Sequence, residues 1–301
     1  MKTKKTSALM IATVLFGTIL TISCSKTEVA TLPAIGGYNS SNDVATTNLI
    51  ANWTFDGTNN ERISGTTPKN TYGGVAYTSG VTSAGQALNL TGGALVYPVI
   101  PNLNKADALA SYTLSMWVNI KNNKTTFTSI FGIFPTAGTD VFGNLSAGVE
   151  TGWFAPSATA DTLVLKANYK SLNADGSFNG QDNRPDPKGN PPVGVFKGAG
   201  VWSHFVIRFN ATTHKLQVFG NGNSIGAYND RGMNTVALNM VTPSQVVIGS
   251  LASSEIGFMQ GSVLPSWTSK GTFALDNVRV YNKPLSDGDI TSLYQLELAG
   301  R

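Results

Sequence analysis

The stretch Tyr112-Thr-Leu-Ser-Met-Trp-Val-Asn-Ile120 alternates without a break. Tyr112, Leu114, Met116, Val118 and Ile120 fall on one side, and Thr113, Ser115, Trp117 and Asn119 on the other. A period of two marks a strand with one face against a core and does not suit an amphipathic helix. The pattern returns at Leu163, Leu165, Ala167 and Tyr169. Short runs rich in β-branched and aromatic residues stand at 48–55, 87–99, 204–210, 215–219, 246–249 and 273–281. Glycine, 32 residues of 301, punctuates them, with turn pairs at Gly92-Gly93 and Asn221-Gly222. Helical spacing is convincing once after the N-terminal segment, where Pro284 ends a strand, Ser286 and Asp289 form a capping-box pair, and Ile290, Leu293, Tyr294 and Leu296 share a face. The prediction is an all-β fold, a two-sheet antiparallel jelly-roll sandwich with one short C-terminal helix.

Residues 1–23 carry a different signal. Lys2, Lys4 and Lys5 precede an apolar run from Ala8 to Ile22 that is short for a membrane span, and the run stops at Ser23-Cys24. Cys24 is the only cysteine. The arrangement resembles a bacterial lipoprotein signal peptide, with Thr21 where leucine is commonest, and Ser25–Glu28 weakly resembles an acidic surface-export tag of Bacteroidetes lipoproteins. That resemblance implies lipidation at Cys24 and an outer-membrane lipoprotein facing the cell exterior, touching the membrane through lipid alone. Residues 24–47, rich in Thr, Ser, Asn and Ala, then read as a flexible tether, and 48–301 as one domain.

The leader also accounts for most of the basic balance. The chain is +4, and residues 1–23 hold three lysines and no acid, so the remainder is near +1. It has no Lys/Arg cluster of the kind that tracks phosphates, which argues against nucleic acid. Without a cysteine after position 24, disulfides, Cys₄ zinc sites and cysteine catalysis are excluded.

Six segments in order carry a second resemblance: Trp53-Thr-Phe-Asp56-Gly57, Gly85-Gln-Ala-Leu-Asn-Leu90, Tyr112–Val118, Gly200-Val-Trp202-Ser-His204, Leu216–Gly222 and Leu275-Asp276-Asn-Val-Arg-Val-Tyr281 through Ser286. Together they are similar to LamG-like (laminin G-like) domains of the concanavalin A-like lectin/glucanase superfamily. The resemblance implies a jelly roll, with Trp53, Trp117 and Trp202 as core residues. It also implies a structural Ca²⁺ near the first and last strands, which points to Asp56 and Asp276. It does not choose among lectins, adhesins and glycosidases, because that fold hosts them all.

Catalytic chemistry finds little support. Glycosidases need paired carboxylates, and none of Glu28, Glu61, Glu150, Glu255 and Glu297 has an acid two residues away. Asp287 and Asp289 are explained by helix capping. His204 and His214 are the only histidines, and His204 reads as a structural residue. The segment Ser171–Asp182 echoes a calcium loop but lacks its leading Asp and final Glu, so it reads as a hairpin tip. Sugar recognition asks for aromatic faces beside polar side chains. The loop-borne Trp153 and Trp267, with Tyr169, Arg184 and Asp186 from the long segment 138–200, are the candidate ligand-binding residues. The sequence therefore predicts a non-catalytic, glycan-binding or adhesive lipoprotein with polysaccharide or glycoconjugate as partner. The alternatives are a structural, protein-interacting component of an outer-membrane complex and a divergent glycoside hydrolase.

Overall fold

A computed structural model describes residues 32–135, 141–150, 159–182, 195–227 and 238–301. Cys24, Trp153, Arg184 and Asp186 lie outside the described residues. The strands are β1 (Leu49–Trp53), β2 (Asn70–Ser79), β3 (Gln86–Val96), β4 (Tyr112–Asn119), β5 (Phe127–Pro135), β6 (Leu145–Val149), β7 (Thr162–Leu172), β8 (Phe178–Asp182), β9 (Val195–Lys197), β10 (Ser203–Asn210), β11 (Lys215–Gly220), β12 (Asn223–Ala227), β13 (Pro243–Ile248), β14 (Thr268–Ser269) and β15 (Gly271–Tyr281). One helix, α1 (Asp287–Leu298), follows them.

The front layer runs β12-β11-β10-β4-β15, with the first half of β3 and all of β1 sharing the other edge of β15. The back layer runs β13-β5-β6-β7, with β8 and β9 on β7. Strand β3 belongs to both. Leu88–Thr91 pair with β15, whereas Leu95 and Val96 pair with β13. The bend between them is the Gly92-Gly93 pair, which lies within one strand instead of separating two. Gly92 sits at φ +57°, and a Cβ on Gly93 would lie 2.5 Å from the Gly74 carbonyl of β2. The alternating residues of β4 and β10 meet those of β5, β6 and β7 in the main core, which includes Trp53. The Asn221-Gly222 turn joins β11 to β12 with both residues at positive φ, as its sequence predicts. The calcium-loop echo is a hairpin tip between β7 and β8, where the Asp175 carboxylate accepts from the Ser177 N–H at 2.9 Å.

Residues on the outward parity of the front layer are not all exposed. The capping box of α1 is formed by Ser286 and Asp289, and Ile290, Leu293 and Leu296 are buried against Val206, Phe219 and Tyr281 of that face. Trp117, outward by parity, is buried beneath the helix. Its ring stacks on Tyr294 at 5.5 Å, and its Nε1–H donates to Glu297 Oε2 at 2.8 Å. Arg279 Nε donates to Glu297 Oε1 at 2.7 Å, and its remaining nitrogens donate to Ser41 Oγ and Asn42 Oδ1. His204 is fully buried on the same face with Nε2 2.8 Å from Ser115 Oγ, and burial holds its imidazole down to about 3, so it is neutral and structural.

The compact unit begins at Ala34, so residues 34–47 of the tether expected over 24–47 are packed into the domain instead. Val44 is buried against the α1 cluster, the Tyr38 hydroxyl donates to Asp289 at 2.7 Å, and Ser41 N–H donates to the Arg301 carbonyl. The segment is held by these hydrogen bonds and by Ile35, Tyr38, Val44 and Ala45, which pack on the α1 cluster, contacts that its largely polar composition does not reveal.

Cutting one member of the Arg279–Glu297 pair leaves a buried charge without its partner. Glu297→Ala is expected to cost about 3–5 kcal/mol in denaturant unfolding, and Arg279→Leu/Glu297→Leu less than the two single changes together.

Candidate functional site: a polar cleft on the front layer

Beyond the edge of α1 the outer face of the front layer is uncovered. Register places Asn119 of β4, Ala274 of β15 and Asn89 of β3 side by side in one row. Strands lie ~4.8 Å apart, so the two asparagine backbones stand about 10 Å apart with only a methyl group between them. The neighbouring row pairs Thr272 with Thr91. The result is a cleft of about 370 Å³ lined by Asn89, Thr91, Asn119, Lys121, Trp202 and Thr272 among others.

Local structure fixes its aromatic wall. Gly200, at φ +79°, donates its N–H to the Ile120 carbonyl at 2.8 Å, and Ser203 Oγ donates to the Gly198 carbonyl. These bonds dock the 198–203 segment against the end of β4, so Trp202 and Lys121 face the same space. Trp202 is half-buried, unlike the core position expected for it. Thr272 Oγ1 accepts from the Gly92 N–H at 3.0 Å, while the side chains of Asn89, Asn119, Thr91 and Lys121 have no partner among the described residues. Unspent amides and hydroxyls beside an indole face are what a polyhydroxylated ring needs: hydrogen bonds for its hydroxyls and an apolar plane for its C–H face.

Of the sequence-predicted ligand residues, the two that are described, Tyr169 and Trp267, do not line the cleft. Tyr169 is corrected outright: it is 1% exposed, tilted against Phe209 at 5.6 Å in the main core. Its parity with Leu165 and Ala167 is the physical reason. Trp267 is 48% exposed and stacks on Phe142 at 5.9 Å, but it stands beside β14 on the back layer, away from the cleft. Asn89, Asn119, Lys121 and Trp202 were missed. The usable signal was parity, since Asn89 and Asn119 are outward residues on strands whose inward residues are apolar.

Asp56 and Asp276 do share a space, a cavity of about 220 Å³ next to the turn between β2 and β3, which Thr82 and Asn277 also line. Asp276 Oδ2 accepts from the Val81 N–H at 2.9 Å, and Asp56 Oδ1 accepts from the Gln86 N–H at 2.8 Å. The two carboxylates thus hold both ends of the turn. Burial first, then the charges of Asp56 and Glu297, push the Asp276 carboxyl up to about 7. The two carboxylates offer hard oxygen donors to a cation, in a cavity that Glu297 and the guanidinium groups of Arg62, Arg279 and Arg301 also line, Arg279 being paired with Glu297. Among the described residues no three His, Cys, Asp or Glu side chains form a metal-binding group, so neutral oxygens would complete any such shell. Glu61 is engaged elsewhere: it is buried and accepts from the backbone N–H groups of Asn52, Ile63 and Ser64.

Neither a protein-family model nor a curated protein sequence matches the chain. Solved structures do. The binding domain of botulinum neurotoxin serotype G superposes with a TM-score of 0.51 at 10% identity, covering 83% of this chain and 51% of that one. The binding domain of botulinum neurotoxin DC in complex with SialylT gives 0.50 at 14% identity, covering 86% and 52%. Domain 4 of AbnA, an extracellular GH43 arabinanase of Geobacillus stearothermophilus in complex with arabinotriose, gives 0.47 at 18% identity, covering 82% and 98%. The chain spans about half the length of the neurotoxin structures, and at these identities the likeness is one of fold, the β-sandwich described above.

Asp276 also sets a pH dependence. Its folded-state pKa of about 7 exceeds the ordinary 3.8, so the folded state holds a proton that the unfolded state releases. Stability from this group is present at low pH and is lost as pH rises toward 7, by at most ~4 kcal/mol. His204 acts oppositely, its contribution falling as pH drops below 6.5. Comparison with Asp276→Asn isolates the carboxyl: in chelator the variant is expected to gain stability relative to wild type from pH 5 to pH 8, read as melting temperature.

Proposed function

We propose that the protein is a non-catalytic glycan-binding module and that the front-layer cleft is its binding surface. The observation that carries this reading is the row Asn119–Ala274–Asn89 with its unspent amides beside Trp202. The fold it shares with a toxin binding domain solved in complex with SialylT supports the same class of function. In the bound state the indole of Trp202 packs on the C–H face of one ring, and the two asparagines bridge hydroxyl pairs. Thr91 and Thr272 extend the contacts along the chain of sugars.

A lipoprotein reading completes the proposal. Lipidation at Cys24 would anchor the module at the outer membrane, facing outward. With the compact unit starting at Ala34, the link is about ten residues and reaches at most ~35 Å.

A Ca²⁺ held by Asp56 and Asp276 belongs to the proposal as a structural ion. When bound, it would neutralise the two carboxylates that hold the β2–β3 turn, and Thr78 and Ser79 beside that turn line the cleft. The competing hydrolase reading would use the same pair, with Asp276 as the acid. The two separate cleanly: the ion reading expects millimolar Ca²⁺ to raise the wild-type melting temperature and not that of Asp276→Asn. The hydrolase reading expects glycan cleavage that Asp276→Asn abolishes.

The binding test is retention on a polysaccharide panel by affinity electrophoresis. Trp202→Ala and Asn119→Ala are each expected to weaken retention about tenfold or more with the melting temperature little changed, whereas Trp267→Ala leaves it intact. Retention on no polysaccharide, or retention that depends on Trp267 alone, contradicts the proposal.

A further inference from the structure

We infer that the cleft selects acidic glycans, because among the described residues Lys121 is the one charged side chain of its lining, which holds no carboxylate. This deepens the glycan reading and rests on it. Lys121 is exposed, and no ion pair or hydrogen bond engages its ammonium group among the described residues. Its backbone is not loose: the preceding Ile120 is buried and its carbonyl holds Gly200. The stem of Lys121 is therefore anchored at one edge of the cleft that Trp202 also lines, and its ammonium group swings over that edge. A ring stacked on Trp202 and bonded by Asn119 brings a substituent on that side toward Lys121. A negatively charged substituent, carboxylate or sulfate, would meet its counter-charge there.

Two further observations sharpen the point. Asp276 lies on the same face two residues from Ala274, but its Oδ2 is turned to the Val81 N–H, so the β2–β3 turn screens it from the cleft. The chain beyond residue 23 is also near neutral. Net charge therefore supplies little attraction for polyanions, and the charge selectivity is carried by this local group.

The test uses matched pairs that differ only in charge: polygalacturonate against its methyl ester, hyaluronan against its carboxyl-reduced form, and dextran sulfate against dextran. Stronger retention on at least one charged member is expected at 50 mM NaCl, by about three- to fivefold, and it should shrink at 0.5 M NaCl. Lys121→Gln should abolish the difference, and Lys105→Gln, an exposed lysine outside the cleft lining, should preserve it. Preference on the first two pairs assigns a uronate, and preference on the third alone assigns a sulfate ester. Equal retention on both members of every pair, or retention on neutral glycans only, overturns the inference and leaves the glycan reading standing. A preference that survives Lys121→Gln also overturns it. Retention on none of these and on no neutral polysaccharide overturns both.

Discussion

The Glu297 carboxylate, clamped between Arg279 and the Trp117 indole, is the interaction on which the exposed architecture depends. While the apolar face of α1 docks the helix on the front layer, this carboxylate fixes where it sits and ties the Ser41–Asn42 segment to the same spot through Arg279. That lid covers one half of the sheet's outer face and leaves the other half open. The cleft lies in the open half. Its position is thus a consequence of where the helix stops, because Trp117 and Asn119 are neighbours of the same parity, one beneath the lid and one beyond it. A buried pair of this kind contributes little net stability compared with apolar packing, but it fixes one arrangement, since any other leaves a charge unpaired.

Much of the fold was legible in residue spacing. The alternation in β4, β7 and β10 reports strands with one face on a core, and α1 declared itself through Ser286, Asp289 and its apolar stripe. Strand β5 was not legible, because both of its faces are buried: Phe131 and Ile133 enter the main core, while Phe134 packs on Ile256 and Phe258 behind it. A strand with no solvated face has no alternation to read. Strand β2 hid behind Gly73-Gly74, which interrupt its run so that β3 can bend beside it. The ordered segment 34–47 was invisible for another reason. What holds it are bonds to Asp289, Arg279 and Arg301 and the packing of Ile35, Tyr38, Val44 and Ala45 on the α1 cluster, and no local pattern records such distant partners.

The site was less legible than the fold. The sequence points to loop-borne aromatic residues, yet Tyr169 obeys the parity of its strand and is core, and Trp267 packs on Phe142 by the back layer. Trp202 was assigned to the core because a resemblance placed it there, and the docking of 198–203 onto β4 through Gly200 instead turns it toward the cleft. Asn89 and Asn119 lie thirty residues apart in sequence and become a pair only because β15 runs between their strands. Cross-strand register, which sequence spacing does not carry, makes the site.

The most direct measurement is the ¹⁵N–¹H spectrum of the five indole N–H groups during titration with a retained oligosaccharide. With the cleft as the binding surface, the Trp202 resonance shifts in a saturable way while those of Trp53, Trp117 and Trp267 stay in place. Saturable movement of the Trp267 or Trp153 resonance with Trp202 unmoved would place the binding surface elsewhere and contradict the account.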